Sequence, residues 1–325
     1  MTRTFTRQDL AGQVPRSVFG MTFVQLAEQN ENIVAISPDL MISTRLAEFV
    51  KKYPHRFFET GVTEQAAVGI AAGLAACGLT PFVCQYAPFV SMRSCEQVRT
   101  DIAYPNLNVK IIGTHAGMSP GAGGATHLSL EDIAILRAVP NLTILAPSDN
   151  VQTAKAVRLA AAATGPVYVR LVRGSENNLD LYASEEDCTL EIGKAVMLRD
   201  GNDAAILAAG HPAVQESFQA AELLERDGIH ARVLDMASIK PMDREAVVCA
   251  ARETGAIVTV EDHNILGGLG GAVAEVLAEE CPTRMTRIGV PDTFVALGPS
   301  RALYDRYRIH APAIARTVIE FLKKK

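Results

Sequence analysis

Short, wholly apolar runs alternate along the chain with longer stretches whose apolar residues recur every three or four positions. The first kind reads as a strand buried on both faces, the second as an amphipathic helix. The pattern predicts helices over 16–30, 44–52, 64–77, 90–103, 129–137 and 150–163. Strands are expected over 31–37, 56–59, 81–85, 108–112, 142–146 and 167–171. After the polar, acidic stretch SENNLDLYASEEDCTL the alternation resumes. Strands then fall near 192–197, 204–208, 231–235, 256–260 and 285–289, with helices over 212–227, 243–252, 268–279 and 312–323. Strands alternating with helices at this spacing build parallel βαβ units, so the fold class is α/β with two doubly wound domains. Their expected limits are 1–175 and 191–325, with 176–190 as the linker.

Two stretches break the apolar pattern in informative ways. In RFFETGVTEQAAVGI (56–70) a strand ends, the chain turns, and Thr63 is placed to cap a helix rich in Ala and Gly. Glu64 then lies in the first helical turn, where any carboxylate is favoured by the helix dipole. In THAGMSPGAGGATHLSLEDIAILRAVPN (114–141) His115 follows a buried strand and His127 precedes a helix. Parallel sheets bind ligands at such strand ends. GGLGGAVAEVLAEE (267–280) resembles half a dinucleotide fingerprint, but it follows Glu261-Asp262-His263 late in the chain, so close helix–sheet packing is its expected use. RDGND (199–203) is expected in a hairpin.

Composition narrows the field. With 325 residues, 48% hydrophobic and 21% charged, the chain is long enough for about two globular domains. A net charge of −5 argues against a nucleic-acid binder, because phosphates demand a basic face. No apolar run approaches the ~18–20 residues a membrane span needs. The N-terminus lacks a secretory layout, so a cytoplasmic protein is expected. The six cysteines show neither CxxC nor zinc spacing, and reduced thiols are expected.

The ordered motifs carry more. Arg16, SPDLMIS (37–43), GVTEQ (61–65), QYAPFVSMRSCEQ (85–97), THAGMSPGAGGATH (114–127), LVRG (171–174) and EDHNILGGLG (261–270) together resemble the C-terminal half of transketolase. That half is a pyrimidine-binding domain followed by a C-terminal domain. The family uses thiamine diphosphate to move two-carbon ketol units between sugar phosphates. The resemblance implies that Glu64 bonds N1′ of the aminopyrimidine. A carboxyl group is needed there because proton exchange at N1′ lets the 4′ nitrogen take the thiazolium C2 proton. Burial beside Ala and Gly is expected to favour its protonated form. By the same resemblance Phe89 stacks on the pyrimidine, Tyr86 lines its pocket, and Asp39 lies near the cofactor at a subunit interface. Arg16, Ser43, His115 and Arg173 match the groups that hold the substrate phosphate, a role that suits guanidinium, hydroxyl and imidazole donors. His127 matches a histidine close to the reacting carbon.

Two departures stand out. The family's GEDG reads GAGG (121–124) here, so Gly123 replaces an aspartate that binds the hydroxyl next to the aldose carbonyl. A ketone such as dihydroxyacetone phosphate, released from a branched ketose phosphate such as apulose 4-phosphate, does not need that contact. The family's diphosphate-binding GDG and its Asn, which anchor Mg²⁺, are missing. A separate N-terminal-half subunit is therefore expected to hold the diphosphate and Mg²⁺, in an α₂β₂ assembly, with no metal site on this chain. The alternatives are the β subunit of a 2-oxo-acid dehydrogenase, half of a 1-deoxyxylulose phosphate synthase-like enzyme, and a non-catalytic scaffold. The phosphate-binding set speaks against the first, a family habit of single long chains against the second, and the retained Glu64, Phe89 and histidines against the third.

Overall fold

The computed structural model describes residues 4–174 and 181–324. The first six strands are β1 (Ile33–Ser37), β2 (Phe57–Glu59), β3 (Thr80–Tyr86), β4 (Lys110–Thr114), β5 (Thr143–Leu145) and β6 (Val167–Arg170). The remaining six are β7 (Val196–Arg199), β8 (Ala204–Ala209), β9 (Ala231–Asp235), β10 (Ser238–Lys240), β11 (Ile257–Asn264) and β12 (Met285–Val290). They form two sheets, ordered β10-β5-β6-β4-β3-β1-β2 and β12-β11-β8-β9-β7. Pairing is parallel except at β10–β5 and β7–β9.

Both faces of the first sheet are covered, which is why its strands read as unbroken apolar runs. Val34, Ile36, Val83 and Ile111 pack towards the helix Glu64–Ala76. The alternate residues Ala35, Phe82, Cys84 and Ile112 pack with Phe19, Phe23 and Phe49 on the other side. Phe23 lies 5.5, 4.7 and 4.9 Å, centroid to centroid, from Phe19, Phe49 and Phe82. Truncating it to Ala would cost about 3–5 kcal/mol through lost burial and a cavity. The second sheet shares the first of these cores through Leu207, Leu234 and Ile257. Its far face packs on the helices Ala213–Arg226 and Ala311–Lys323 through Ile206, Val258 and Val260. Among the described residues no helix is long and apolar enough to cross a membrane.

Several local expectations are corrected. The predicted helix 44–52 begins only at Ala47, after a turn in which Arg45 takes φ +64°. The predicted helix 90–103 is π-helical over Phe89–Arg93 and Val98–Ala103, with an α-turn at Cys95–Gln97 between them. Thr63 does not cap its helix with its side chain. Its hydroxyl donates instead to the Thr60 carbonyl at 2.7 Å. RDGND is no hairpin, because β7 pairs with β9 and not with β8. Asp200 in that turn accepts from Arg232.

A strand missed from sequence, β10, leaves the second half of the chain to pair antiparallel with β5 of the first sheet. Within the acidic stretch, residues 175–180 lie outside the described residues. From Leu181 onward the chain is fastened down: Tyr182 is buried, and Glu185 accepts from the Phe5 amide and from Arg158 Nε at 2.8 and 2.7 Å.

Candidate active site

The site forms at the carboxyl ends of β3 and β4, the expected place in a parallel sheet. Glu64 opens its helix and is buried, 6% exposed. Gln85, near the end of β3, donates from Nε2 to the Glu64 carbonyl at 3.1 Å and ties helix to strand. Tyr86 closes β3, and Phe89 opens the π-helical turn that follows. Their rings lie 5.7 Å apart.

The glycine loop brings both histidines to these rings. Tyr86 lies 3.9 Å from His115 and 6.1 Å from His127, and Phe89 lies 5.4 Å from His127, edge to face. The loop closes at a neck where Gly117 and Ser129 exchange backbone hydrogen bonds of 2.9 and 3.2 Å. His115 sits just before this neck in the left-handed region at φ +60°. Burial, then the positive charges of Arg16 and Arg173, push its imidazole down to about 3. Its ring is therefore neutral at ordinary pH. The Thr114 hydroxyl donates to the Gln85 carbonyl at 3.3 Å and lies 3.0 Å from His115 Nδ1. Nδ1 is then the donor to Thr114, and Nε2 remains an acceptor.

A cavity of about 560 Å³ opens between the two halves of the chain; the rings themselves do not line it, but its Arg16 and Arg173 are near enough to act on His115, and Arg16 on Tyr86. Arg16, Arg45 and Arg173 line it from the first half of the chain, and His211, Arg301 and His310 from the second. Arg16 Nη1 donates to the Ser43 carbonyl at 3.0 Å, which places Ser43 next to Arg16. Burial and the neighbouring cations Arg45 and Arg173 lower the Arg16 pKa from its ordinary value. Cations held together in this way favour an anion. Asp39 stands apart. It is exposed beyond β1, its amide donates to Glu59, and its carboxylate has no hydrogen-bond or ion-pair partner among the described residues.

Three features were not read from the sequence. Arg93 pairs through Nη1 with Glu64 Oε1, and its guanidinium carbon lies 4.6 Å from the centre of the Phe89 ring. The carboxyl group expected among Ala and Gly alone thus carries a cation on it, because the π-turn swings Arg93 over the helix start. The signal was present in QYAPFVSMRSCEQ, where Arg93 follows Phe89 by four positions. The second feature is Asp262, buried in β11, which accepts from the Met118 amide and the Tyr304 hydroxyl. Three charged or polar residues, Glu261-Asp262-His263, in an otherwise apolar strand were its signal. The third is the interdomain wall with Arg45 and Arg301. The second half of the chain therefore reaches this cavity.

The close approach expected of GGLGGAVAEVLAEE is visible in the helix Leu269–Glu280. A Cβ on Gly268 would fall 2.0 Å from Glu261 Oε2, whose carboxylate accepts the Leu269 and Gly270 amides. Among the described residues no group of three or more His, Cys, Asp or Glu side chains could hold a metal ion.

Comparison with known proteins agrees with this architecture. Residues 13–177 match the pyrimidine-binding domain of transketolase and residues 193–314 its C-terminal domain. The chain is 43% identical to a putative transketolase C-terminal section of Methanocaldococcus jannaschii, covering 95% of this chain and 96% of that one. It is 46% identical to one of the subunits of an apulose-4-phosphate transketolase from Phocaeicola vulgatus, covering 95% and 97%. A solved structure described as a split gene transketolase, inactive β4 tetramer, superposes with a TM-score of 0.85 at 41% identity, over 95% of this chain and 98% of that one. With both domains matched in order, the chain belongs to the transketolase family.

Proposed function

We propose that this chain is the C-terminal subunit of a two-subunit transketolase and supplies the pyrimidine-facing and sugar-phosphate-facing walls of its active site. The observation that carries this reading is the clustering of Phe89, Tyr86, His115 and His127, with Glu64 joined to Phe89 through Arg93 and with Arg16 and Arg173 near His115. The Arg93 guanidinium serves as a stand-in for the fit. A planar N–H donor takes the Phe89 face and the Glu64 carboxylate together, as an aminopyrimidine requires. Thiamine diphosphate bound there supplies the carbon nucleophile that carries the two-carbon unit.

Glu64 exchanges the proton at N1′, and Phe89 fixes the plane of the ring. His127, at the Phe89 edge, holds substrate oxygens near the reacting carbon. His115, expected with Arg16, Arg173 and Ser43 at the phosphate, is neutral with Nε2 accepting, so it is assigned to a substrate hydroxyl instead and the other three take the phosphate. Mg²⁺ and the diphosphate are held by an N-terminal-half partner in an α₂β₂ complex, in a reducing cytoplasm, with Asp39 near the cofactor at the seam. A 2-oxo-acid dehydrogenase subunit is not favoured, because the relatives are split transketolases.

For the substrate, Gly123 and the apulose-4-phosphate relative support a branched ketose phosphate donor that releases dihydroxyacetone phosphate. The test is to assay the purified complex with an aldose phosphate as acceptor and either apulose 4-phosphate or xylulose 5-phosphate as donor, with a Glu64→Gln complex alongside. Cleavage of the branched sugar, lost in the variant with its fold intact, is expected. Full activity in the variant would sink the role of Glu64; turnover of xylulose 5-phosphate with ordinary acceptors and no cleavage of the branched sugar would sink the substrate.

A further inference from the structure

Glu64 and Phe89 are engaged in this chain, and the group that engages them is Arg93. We propose that Arg93 holds the aminopyrimidine's place in the cofactor-free subunit and is exchanged for the cofactor when it binds, so that it sets cofactor affinity. The inference rests on the reading of Glu64 and Phe89 as the pyrimidine's partners.

Two independent contacts define the exchange. One is the ion pair of Arg93 with Glu64; the other is the stacking of its guanidinium on the Phe89 ring at 4.6 Å. A guanidinium is planar and cationic, and it presents N–H donors along its edge. An aminopyrimidine asks for the same two partners, a carboxyl group at its edge and an aromatic face. One ring face and one carboxyl group cannot serve both at once. The geometry is local and built in. Phe89–Arg93 is a π-helical turn, closed by the Ser94 amide on the Phe89 carbonyl at 3.0 Å, and it sets the guanidinium over the ring.

The two side chains are also unequal. The Glu64 side chain is 8% exposed and that of Arg93 50%, so the carboxyl stays while the guanidinium can swing out. Cofactor binding must break the ion pair and the cation–π contact, and the measured affinity is reduced by what both contribute.

The test uses the complex purified with its partner subunit through a tag on this chain and stripped of cofactor. Thiamine diphosphate with Mg²⁺ is titrated by calorimetry into the native complex and the Arg93→Met, Glu64→Gln and doubly substituted complexes. Met keeps the length and apolar stem but cannot pair. Arg93→Met is expected to tighten the cofactor Kd by on the order of tenfold. In the Glu64→Gln background the gain should shrink to a few-fold, because the guanidinium there has no carboxylate to hold it. An unchanged or weaker Kd in Arg93→Met, with the native complex still binding cofactor, overturns the exchange and leaves the pyrimidine reading standing. Absence of binding by the native complex overturns that reading itself.

Discussion

The carboxylate of Asp262 reaches out of the second sheet to the backbone amide of Met118, which lies 3.0 and 3.2 Å from its two oxygens. Gly117 must be glycine for this to happen, since a Cβ there would fall 1.9 Å from Asp262 Oδ2. Arg170 Nη2 ties the same place together by donating to the Ser129 and Asp262 carbonyls at 3.2 and 2.8 Å. Both histidines flank this neck, so the second domain holds the loop that orients them.

Asp262→Ala leaves the Met118 amide and the Tyr304 hydroxyl unpaired in a buried place. A hydrogen bond to a charged group contributes about 1.5–3 kcal/mol, so a loss of stability on that order is expected. The loosened neck should raise KM for the sugar phosphate about tenfold or more. The cofactor Kd should not move, because Glu64 and Phe89 lie outside the loop. Steady-state kinetics beside a cofactor titration separates the two.

Arg173→Ala removes one of the cations of the interdomain cavity, and its effect should be confined to substrate binding. KM for a phosphorylated ketose is expected to rise on the order of tenfold or more, with kcat changed far less. A non-phosphorylated analogue should show almost no difference between native and variant. Equal losses on both substrates would remove Arg173 from the phosphate site.

Gly123→Asp restores the family residue but should not restore the family's aldose preference. A Cβ at this position meets the His127 Cβ at 3.0 Å and the Pro120 Cβ at 3.4 Å, so the new side chain displaces His127. Turnover on every donor is expected to fall by about tenfold or more. A gain on ordinary aldose acceptors would show that the loop has room after all.

Burial pushes the Asp235 carboxyl up to about 7, although Ser148 and Gln152 donate to one of its oxygens at 2.7 and 2.8 Å. Between pH ~4 and ~7 the native chain therefore keeps a proton that the unfolded chain has released. Stability from this group is fullest at the acid end and is lost as the pH rises through that window. Asp235→Asn has the same shape and no ionisation. Its melting temperature should fall less than the native one between pH 5 and pH 8, by several degrees. Parallel melting curves would show that Asp235 does not titrate there.

The apolar periodicity determined much of this protein. Unbroken runs at β1, β3 and β4 need two covered faces, and that alone demands helices on both sides of a parallel sheet. The motifs then named Glu64, Phe89, His115 and His127 in chain order, because each lies where a strand ends or a helix begins. What periodicity does not contain is contact between distant positions. Met118 and Asp262 are 144 residues apart, and β10 crosses back to β5 from the other half of the chain. The pairing of Arg93 with Glu64 spans 29 residues and depends on a π-turn that places the guanidinium over the ring. Such choices follow from how packed elements are aimed at one another, and only the assembled fold decides them.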